Sequence, residues 1–294
     1  MNHAIKKLLS NSIGVIPPSL RERVRSALPV AVKQKMAAAL MSGASGTVSA
    51  TDGRTFRSIA DPIFFRVSSE GTYEPDLTAI VGRLVQPADA CIDIGANFGW
   101  YATLLGQLVG VGGRVIAVEP GDEVRSHLQA NIEMNTLSRI VSVRTECVGE
   151  RSGTAVLVQP ETGGFGLARV EESNDDGEQV SIVSLDDLVD DLGQSPDFVK
   201  IDVEGFEAKV IAGGSSTLGA EDPPILQIEM NGPALALYGT TPEKVAQQLT
   251  AFGYVLWGPS GSDGGLVPAD LSIHPDIFAQ PPGARAQRFT TLVR

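Results

Sequence analysis

From about residue 88 onward, short continuous apolar runs alternate with longer segments whose apolar positions recur at helical spacing. Cys91-Ile-Asp-Ile94 is an apolar run closed by Gly95, the pattern of a buried strand. The next segment places Phe98, Tyr101, Ala102, Leu105, Leu108 and Val109 on one helical face and stops at Gly110, Gly112 and Gly113. Val115-Ile-Ala-Val118 is again continuously apolar, as a parallel strand covered on both faces should be. Val124, Leu128 and Ile132 then mark the stripe of a second helix. Further strands are expected at Ile140–Arg144, Phe198–Asp202, Ile225–Glu229, Tyr254–Trp257 and Arg288–Val293, with helices near 205–218 and 242–251. Thr241 supplies an N-cap for the last helix and Pro242 a preorganised first position. This alternation predicts an open, mostly parallel α/β sheet. Residues 153–183 interrupt it as a hairpin, whose acidic tip (Glu171, Glu172, Asp175, Asp176, Glu178) reads as solvated turn.

Residues 1–53 read as an appended arm with short helices around 19–27 and from Val30 to Met41, and residues 54–294 as the main domain. Charge separates the two. The whole chain of 294 residues carries −12, yet residues 1–40 hold seven basic side chains against Glu22, so the remainder carries −18. An acidic body is a poor binder of nucleic acid, whose non-specific affinity comes from phosphate neutralisation. The basic arm leaves room for peripheral contact with an anionic membrane surface, although a solvated helical face is the commoner use of such charges. No apolar run approaches the roughly 20 residues that span a bilayer. Cys91 and Cys147 lack metal-type spacing, which suggests a reduced, cytoplasmic protein. Nothing in the sequence fixes the oligomeric state.

Candidate chemistry begins at Asp93-Ile-Gly95-Ala96-Asn97-Phe-Gly99, the junction of the first strand with the first helix. In a doubly wound sheet a nucleotide-like ligand binds beyond the carboxyl ends of the strands. Gly95 and Gly99 allow close backbone approach, and Asn97 tolerates left-handed backbone angles. A dinucleotide fingerprint offers a helix N-terminus to a pyrophosphate, and an acid at Asp93 would repel it. The same acid suits an ammonium group such as that of S-adenosylmethionine. Glu119, 24 residues beyond Gly95, closes the second strand where a carboxylate can accept from ribose hydroxyls, with Pro120 beside it. The competing account makes Asp93 a helix cap and Glu119-Pro120 a plain turn.

Asp93-Ile-Gly-Ala-Asn-Phe-Gly-Trp-Tyr101, Val118-Glu-Pro120, Ser184-Leu-Asp186 and Lys200-Ile-Asp-Val-Glu-Gly-Phe-Glu207 together resemble the FkbM-type methyltransferases, over roughly residues 63–257 with a motif core at 88–257. The resemblance implies a Rossmann-like class I methyltransferase fold, α/β, with a mostly parallel doubly wound sheet, an antiparallel final strand and an N-terminal helical extension. It further implies S-adenosylmethionine as methyl donor and a hydroxyl of a sugar, glycolipid or secondary metabolite as acceptor. Trp100 and Phe206 depart from the usual family pattern and bear on the acceptor rather than on the reaction.

Side chains alternate along a strand, so Lys200, Asp202 and Glu204 point one way, and Gln227 and Glu229 alternate likewise on the neighbouring strand. The catalytic candidates are therefore Asp202 as base, Glu229 as the second choice, Lys200 paired with Asp202 or Glu229, and Glu204 at the following turn. A structural ion pair among Lys200, Asp202 and Glu229 is the competing account. No ligand spacing supports a metal. His3, His127 and His274 are scattered. Glu146 and Cys147 follow the third strand, where an adenine ring is expected, against ordinary loop packing. Thr162-Gly-Gly-Phe-Gly166 reads as a lid or a hairpin turn, and Tyr73-Glu74-Pro75 as the start of a capping helix that can reach the cofactor. Two other readings remain at this point: an NAD-dependent oxidoreductase or epimerase, and a non-catalytic cofactor-binding protein on the same sheet.

Overall fold

A computed structural model describes residues 46–59, 62–158, 169–171, 178–261 and 264–294. The expected helices of the arm, the Thr162–Gly166 segment and most of the acidic tip lie outside the described residues. Among the described residues fourteen strands run in chain order: β1 (Thr47–Ser49), β2 (Thr55–Arg57), β3 (Ala90–Ile94), β4 (Arg114–Val118), β5 (Val141–Arg144), β6 (Cys147–Gly149), β7 (Gly153–Val158), β8 (Arg169–Glu171), β9 (Glu178–Ser184), β10 (Phe198–Ile201), β11 (Ile225–Glu229), β12 (Val255–Pro259), β13 (Leu266–Pro268) and β14 (Asp276–Gln280). The helices are α1 (Pro62–Glu70), α2 (Pro75–Leu84), α3 (Trp100–Val109), α4 (Asp122–Met134), α5 (Leu185–Leu192), α6 (Glu207–Ala212), α7 (Ser215–Leu218), α8 (Gly232–Leu237) and α9 (Pro242–Ala251).

The main sheet has the order β13-β12-β14-β11-β10-β3-β4-β5. β5, β4, β3, β10 and β11 are mutually parallel, and β14 enters antiparallel between β11 and β12. Strand order reverses between β3 and β10, which opens a crevice at their carboxyl ends. A separate four-stranded sheet, β6-β9-β7-β8, joins β6 to the strands of the expected hairpin region. Register partners across a sheet share a face, so the parallel strands divide cleanly. Ile92, Ile94, Val118, Val199, Ile201 and Ile228 pack toward α5, α6 and α9, and Cys91, Val115, Ala117, Phe198 and Ile225 pack toward α2 and α3.

Three expectations are corrected. The last strand is not Arg288–Val293: residues Ala284–Phe289 form a 3-10 turn, and only a Leu266–Val293 bridge remains. The antiparallel strand is β14, whose buried Ile277-Phe278-Ala279 is bracketed by Pro275 and Pro281. The helix expected over 205–218 is two helices, α6 and α7, parted at Gly213-Gly214, where the chain packs so closely that an added Cβ would lie 2.0 Å from the Gly149 carbonyl at Gly213 and 2.6 Å from Leu185 Cδ2 at Gly214. Finally, the β1–β2 hairpin runs across the expected division at residue 53. Arg54 is fully buried beside it, its guanidinium 4.1 Å from the Trp100 ring and 2.7 Å from Asp52. Residues 47–53 thus join the body. Among the described residues no helix is long and apolar enough to cross a membrane.

Candidate active site

The site starts from a polar row inside the sheet. Asp93, Lys200 and Gln227 are register partners on β3, β10 and β11, and they share the face covered by α3. Tyr101, from the first turn of α3, closes the row: its ring centre is 4.8 Å from Lys200 Nζ, and Gln227 Nε2 is 3.4 Å from its hydroxyl. Lys200 donates to Asp202 at 2.6 Å, one of the two partners expected from the sequence, Glu229 being the other. Burial acts against the Lys200 charge, but Asp202, Asp93 and Glu74 outweigh it and hold its pKa above the ordinary lysine range.

Beyond β3 the chain makes the glycine bend. Gly95, Asn97 and Gly99 all have positive φ, at 81°, 51° and 94°. The Gly95 and Ala96 amides donate to Val118 O at 3.0 and 2.9 Å, which fastens the bend to β4. The glycines do permit close approach, but of the protein itself. A Cβ on Gly95 would lie 1.8 Å from the Asp202 carbonyl, and one on Gly99 2.7 Å from Leu128 Cδ1. Asp93 is fully buried, and neither carboxylate oxygen has a hydrogen-bond partner of good geometry. Burial raises its pKa to about 6, with Lys200 pulling down, Asp202 pushing up and the Ala102 amide pulling weakly. It does not cap α3, whose N-cap is Gly99 without a side-chain bond.

Glu119 faces the same cavity. Its oxygens accept from the Asn97 and Gly121 amides, both at 2.9 Å, and burial raises its pKa to about 7 against those bonds. Each carboxylate oxygen keeps a second lone pair for another donor. Pro120, Glu146 and Cys147 also line the cavity, next to Val148, Leu157 and Val170. Glu146 is held by Arg144 at 2.6 Å, which lowers its pKa, and is thereby already engaged.

At the other end stand Asp202, Glu204 and Glu229, the carboxylates expected from strand alternation, brought together with two residues that sequence reasoning missed or undervalued. Asp276 is the cross-strand partner of Glu229 on β14. It was invisible because the strand that carries it was not recognised. Glu74 starts α2 in a left-handed conformation, makes no side-chain cap, and accepts from the Tyr101 hydroxyl at 2.8 Å. Tyr73-Glu74 therefore both begins the capping helix and reaches the cavity. Burial raises Glu204 and Asp276 to about 7 and Glu229 to about 9, reinforced by the charge of Asp202 at all three and by Glu204 and Asp276 at Glu229. Phe206 lines this cavity too and meets Tyr238 edge-on at 5.2 Å. His127 and His274 are not among its lining residues. The cavity opens to solvent, and its unfilled space together with that open mouth is about 1080 Å³.

An open α/β sheet with an acid-lined crevice at its switch point defines a protein that binds a nucleotide-like cofactor. Residues 93–256 match the model of the methyltransferase FkbM domain, more than half of the chain. The chain belongs to the FkbM methyltransferase family. It is 36% identical over 69 residues to a protein-L-isoaspartate O-methyltransferase of Aeropyrum pernix, and this match spans 22% of the chain and 26% of that protein. Similar solved structures include an S-adenosylmethionine-dependent O-methyltransferase from Thermotoga maritima (14% identity, 79% of this chain and 76% of that chain, TM-score 0.41). Another is an O-methyltransferase from Bacillus cereus in complex with S-adenosylhomocysteine (14% identity, 89% and 96% covered, TM-score 0.39).

Proposed function

We infer that this protein moves the methyl group of S-adenosylmethionine onto a hydroxyl of a small molecule or glycan: a sugar, glycolipid or secondary metabolite. One observation carries the reading. Asp93 is a fully buried carboxylate with no good hydrogen-bond partner, beside a glycine bend and in one cavity with Glu119. A buried polar group left so needs a partner, and the ammonium of a methionyl group is a donor of the right charge. A pyrophosphate would be repelled there, which argues against the oxidoreductase reading. Glu119 suits the ribose hydroxyls, and the apolar patch around Cys147, Val148 and Leu157 suits an adenine ring.

Methyl transfer forms an oxygen–carbon bond as the carbon–sulfur bond breaks, with the acceptor opposite the sulfur, so positioning is a large part of catalysis. The hydroxyl proton must go to a base. Asp202 and Glu229 stand at the acceptor end; Asp202 is tied to Lys200, and among the described residues Glu229 has no basic partner of its own.

Calorimetry tests the reading: S-adenosylhomocysteine should bind and NAD should not, and Asp93→Ala should remove the binding. NAD binding in its place would overturn it. A methyl-transfer assay across nucleotide sugars, glycans and polyketides, read by product mass, then identifies the acceptor.

A further inference from the structure

The β1–β2 hairpin lies outside residues 93–256, the span that matches the family, yet its contacts converge on the glycine bend and the first turn of α3. Arg54 is the central one. It is fully buried, a costly place for a cation unless its donors are used. Its guanidinium donates to the Trp100 carbonyl, to Thr103 Oγ1 at 3.0 Å and to Asp52 Oδ2 at 2.9 Å. It also lies 4.1 Å from the Trp100 ring and 5.3 Å from that of Phe56. Thr103 in turn donates to the Gly99 carbonyl at 2.7 Å, so the same chain of contacts reaches the last residue of the bend.

Two further contacts hold the bend from the same side. Phe56 stacks on Trp100 at 5.3 Å and meets Phe98 edge-on at 5.9 Å. Asn131 of α4, fully buried, accepts from the Arg57 amide at 2.6 Å and donates to the Phe98 carbonyl at 2.7 Å. Phe98, Trp100 and Tyr101 line the cavity, whereas Arg54, Phe56 and Arg57 do not. The hairpin thus touches the back of the cavity wall. Electrostatics set Arg54 apart from ordinary packing. The first turn of a helix carries partial positive charge, so a guanidinium gains nothing there from the helix dipole. A buried ion pair rarely stabilises more than apolar side chains of similar volume. What an arginine adds is direction, because its planar fork fixes the geometry of its donors. Here that fork ties the start of α3 to Asp52.

We propose that Arg54 is a positioning residue for the ligand of the cavity. By fixing Trp100 and Thr103 it holds the glycine bend and the Tyr101 ring in the geometry that binding requires, without touching the ligand itself. That the ligand is S-adenosylmethionine rests on the methyl-transfer reading. The hairpin is then needed for binding, although it lies outside the matched domain and lines no part of the cavity.

The test is calorimetry with S-adenosylhomocysteine on the full-length protein, well below the melting temperature of each variant. Arg54→Met should weaken binding at least about tenfold. Arg54→Lys, which keeps the charge over Trp100 but not the fork, should recover part of that loss. The control is Arg288→Met, which removes the arginine paired with Asp89 at the amino end of β3; it should melt lower yet bind as the wild type does. Wild-type affinity in folded Arg54→Met, or an equal loss in Arg288→Met, overturns the proposal. If Arg54→Met does not fold, Thr103→Val decides: a loss of about threefold supports the proposal and no loss overturns it. Absence of binding in the wild type sinks the cofactor assignment and leaves the proposal to Trp100. In a Trp257→Phe background Trp100, 3% exposed, is the remaining tryptophan. Acrylamide should quench it readily only after Arg54→Met, and unchanged quenching overturns the positioning role.

Discussion

Lys200 Nζ stands 2.6 Å from Asp202 Oδ2, and that one ion pair divides the carboxylates of the cavity into two groups. On one side lies Asp93, buried, with Lys200 as its nearest compensating charge. On the other lie Glu204, Glu229 and Asp276, which Lys200 does not contact. On the proposed function, the first group would take the cationic end of the cofactor and the second would face the acceptor.

The pair is also structural. The Lys200 side chain is 5% exposed and that of Asp202 34%. Removing one partner of a buried pair costs about 3–5 kcal/mol, and the partial exposure of Asp202 puts Lys200→Met near the lower end, about 3 kcal/mol. Urea unfolding at pH 7.5 measures it. A loss below about 1 kcal/mol would show the contact to be solvent-screened.

Asp93 should couple cofactor binding to pH. In the unfolded chain its carboxyl is ionised by about pH 5, whereas in the folded protein its pKa is raised to about 6. Between about pH 4 and 6 the folded state holds a proton that the unfolded state lacks, so this group makes stability fall as pH rises and the penalty is complete above that window. Asp93→Asn should therefore stabilise the ligand-free protein at pH 8, by about 2–3 kcal/mol. The same substitution should weaken S-adenosylmethionine binding by about 1.5–3 kcal/mol, the worth of a hydrogen bond to a charged group. Wild-type affinity should be flat above pH 7 and decline below pH 6, and the asparagine variant should lack the decline. Melting curves and calorimetry at pH 5, 6, 7 and 8 check both signs.

Gly95→Ala should be costly for two reasons: a φ of 81° and a Cβ 1.8 Å from the Asp202 carbonyl. Moving that carbonyl disturbs the Lys200–Asp202 pair as well. A loss of about 2–4 kcal/mol is expected from strain plus displaced backbone. Gly239→Ala is the control, with a φ of 69° and open space around it, and should cost only about 1 kcal/mol. Equal losses at the two positions, read by denaturant midpoints, would mean that the contact with Asp202 does not matter.

Cys147 tests the adenine end. The residue is 4% exposed, and burial with Glu119 and Glu178 nearby pushes its thiol pKa up to about 12. Alkylation by iodoacetamide at pH 8 should be slow, since the thiolate is the reactive form. Saturating S-adenosylhomocysteine should slow it further. Peptide mass mapping follows the site, and protection absent at Cys147 would move the ring elsewhere.

Much of this was legible before any coordinates. Helical spacing predicted α4 through Val124, Leu128 and Ile132, all of them buried, and Thr241-Pro242 located the start of α9, where Thr241 accepts from the Lys244 amide. Continuous apolar runs predicted β3, β4, β10 and β11, since a strand covered on both faces has no polar alternation to confuse. Periodicity failed at the C-terminus. Arg288 and Phe289 looked like a strand, yet Arg288 pairs with Asp89 across nearly 200 residues and holds the chain in a turn.

The order of residues along the chain determined which carboxylates end strands, because alternation and strand length are local properties: Asp93, Asp202 and Glu229 follow from them. Which carboxylates share a cavity is not local. Asp276 joins Glu229 only because β14 inserts antiparallel beside β11, and Glu74 meets Tyr101 only because α2 folds over α3. The raised proton affinities have the same origin. Burial, the largest contribution to each, exists only once distant segments have packed together and driven out water.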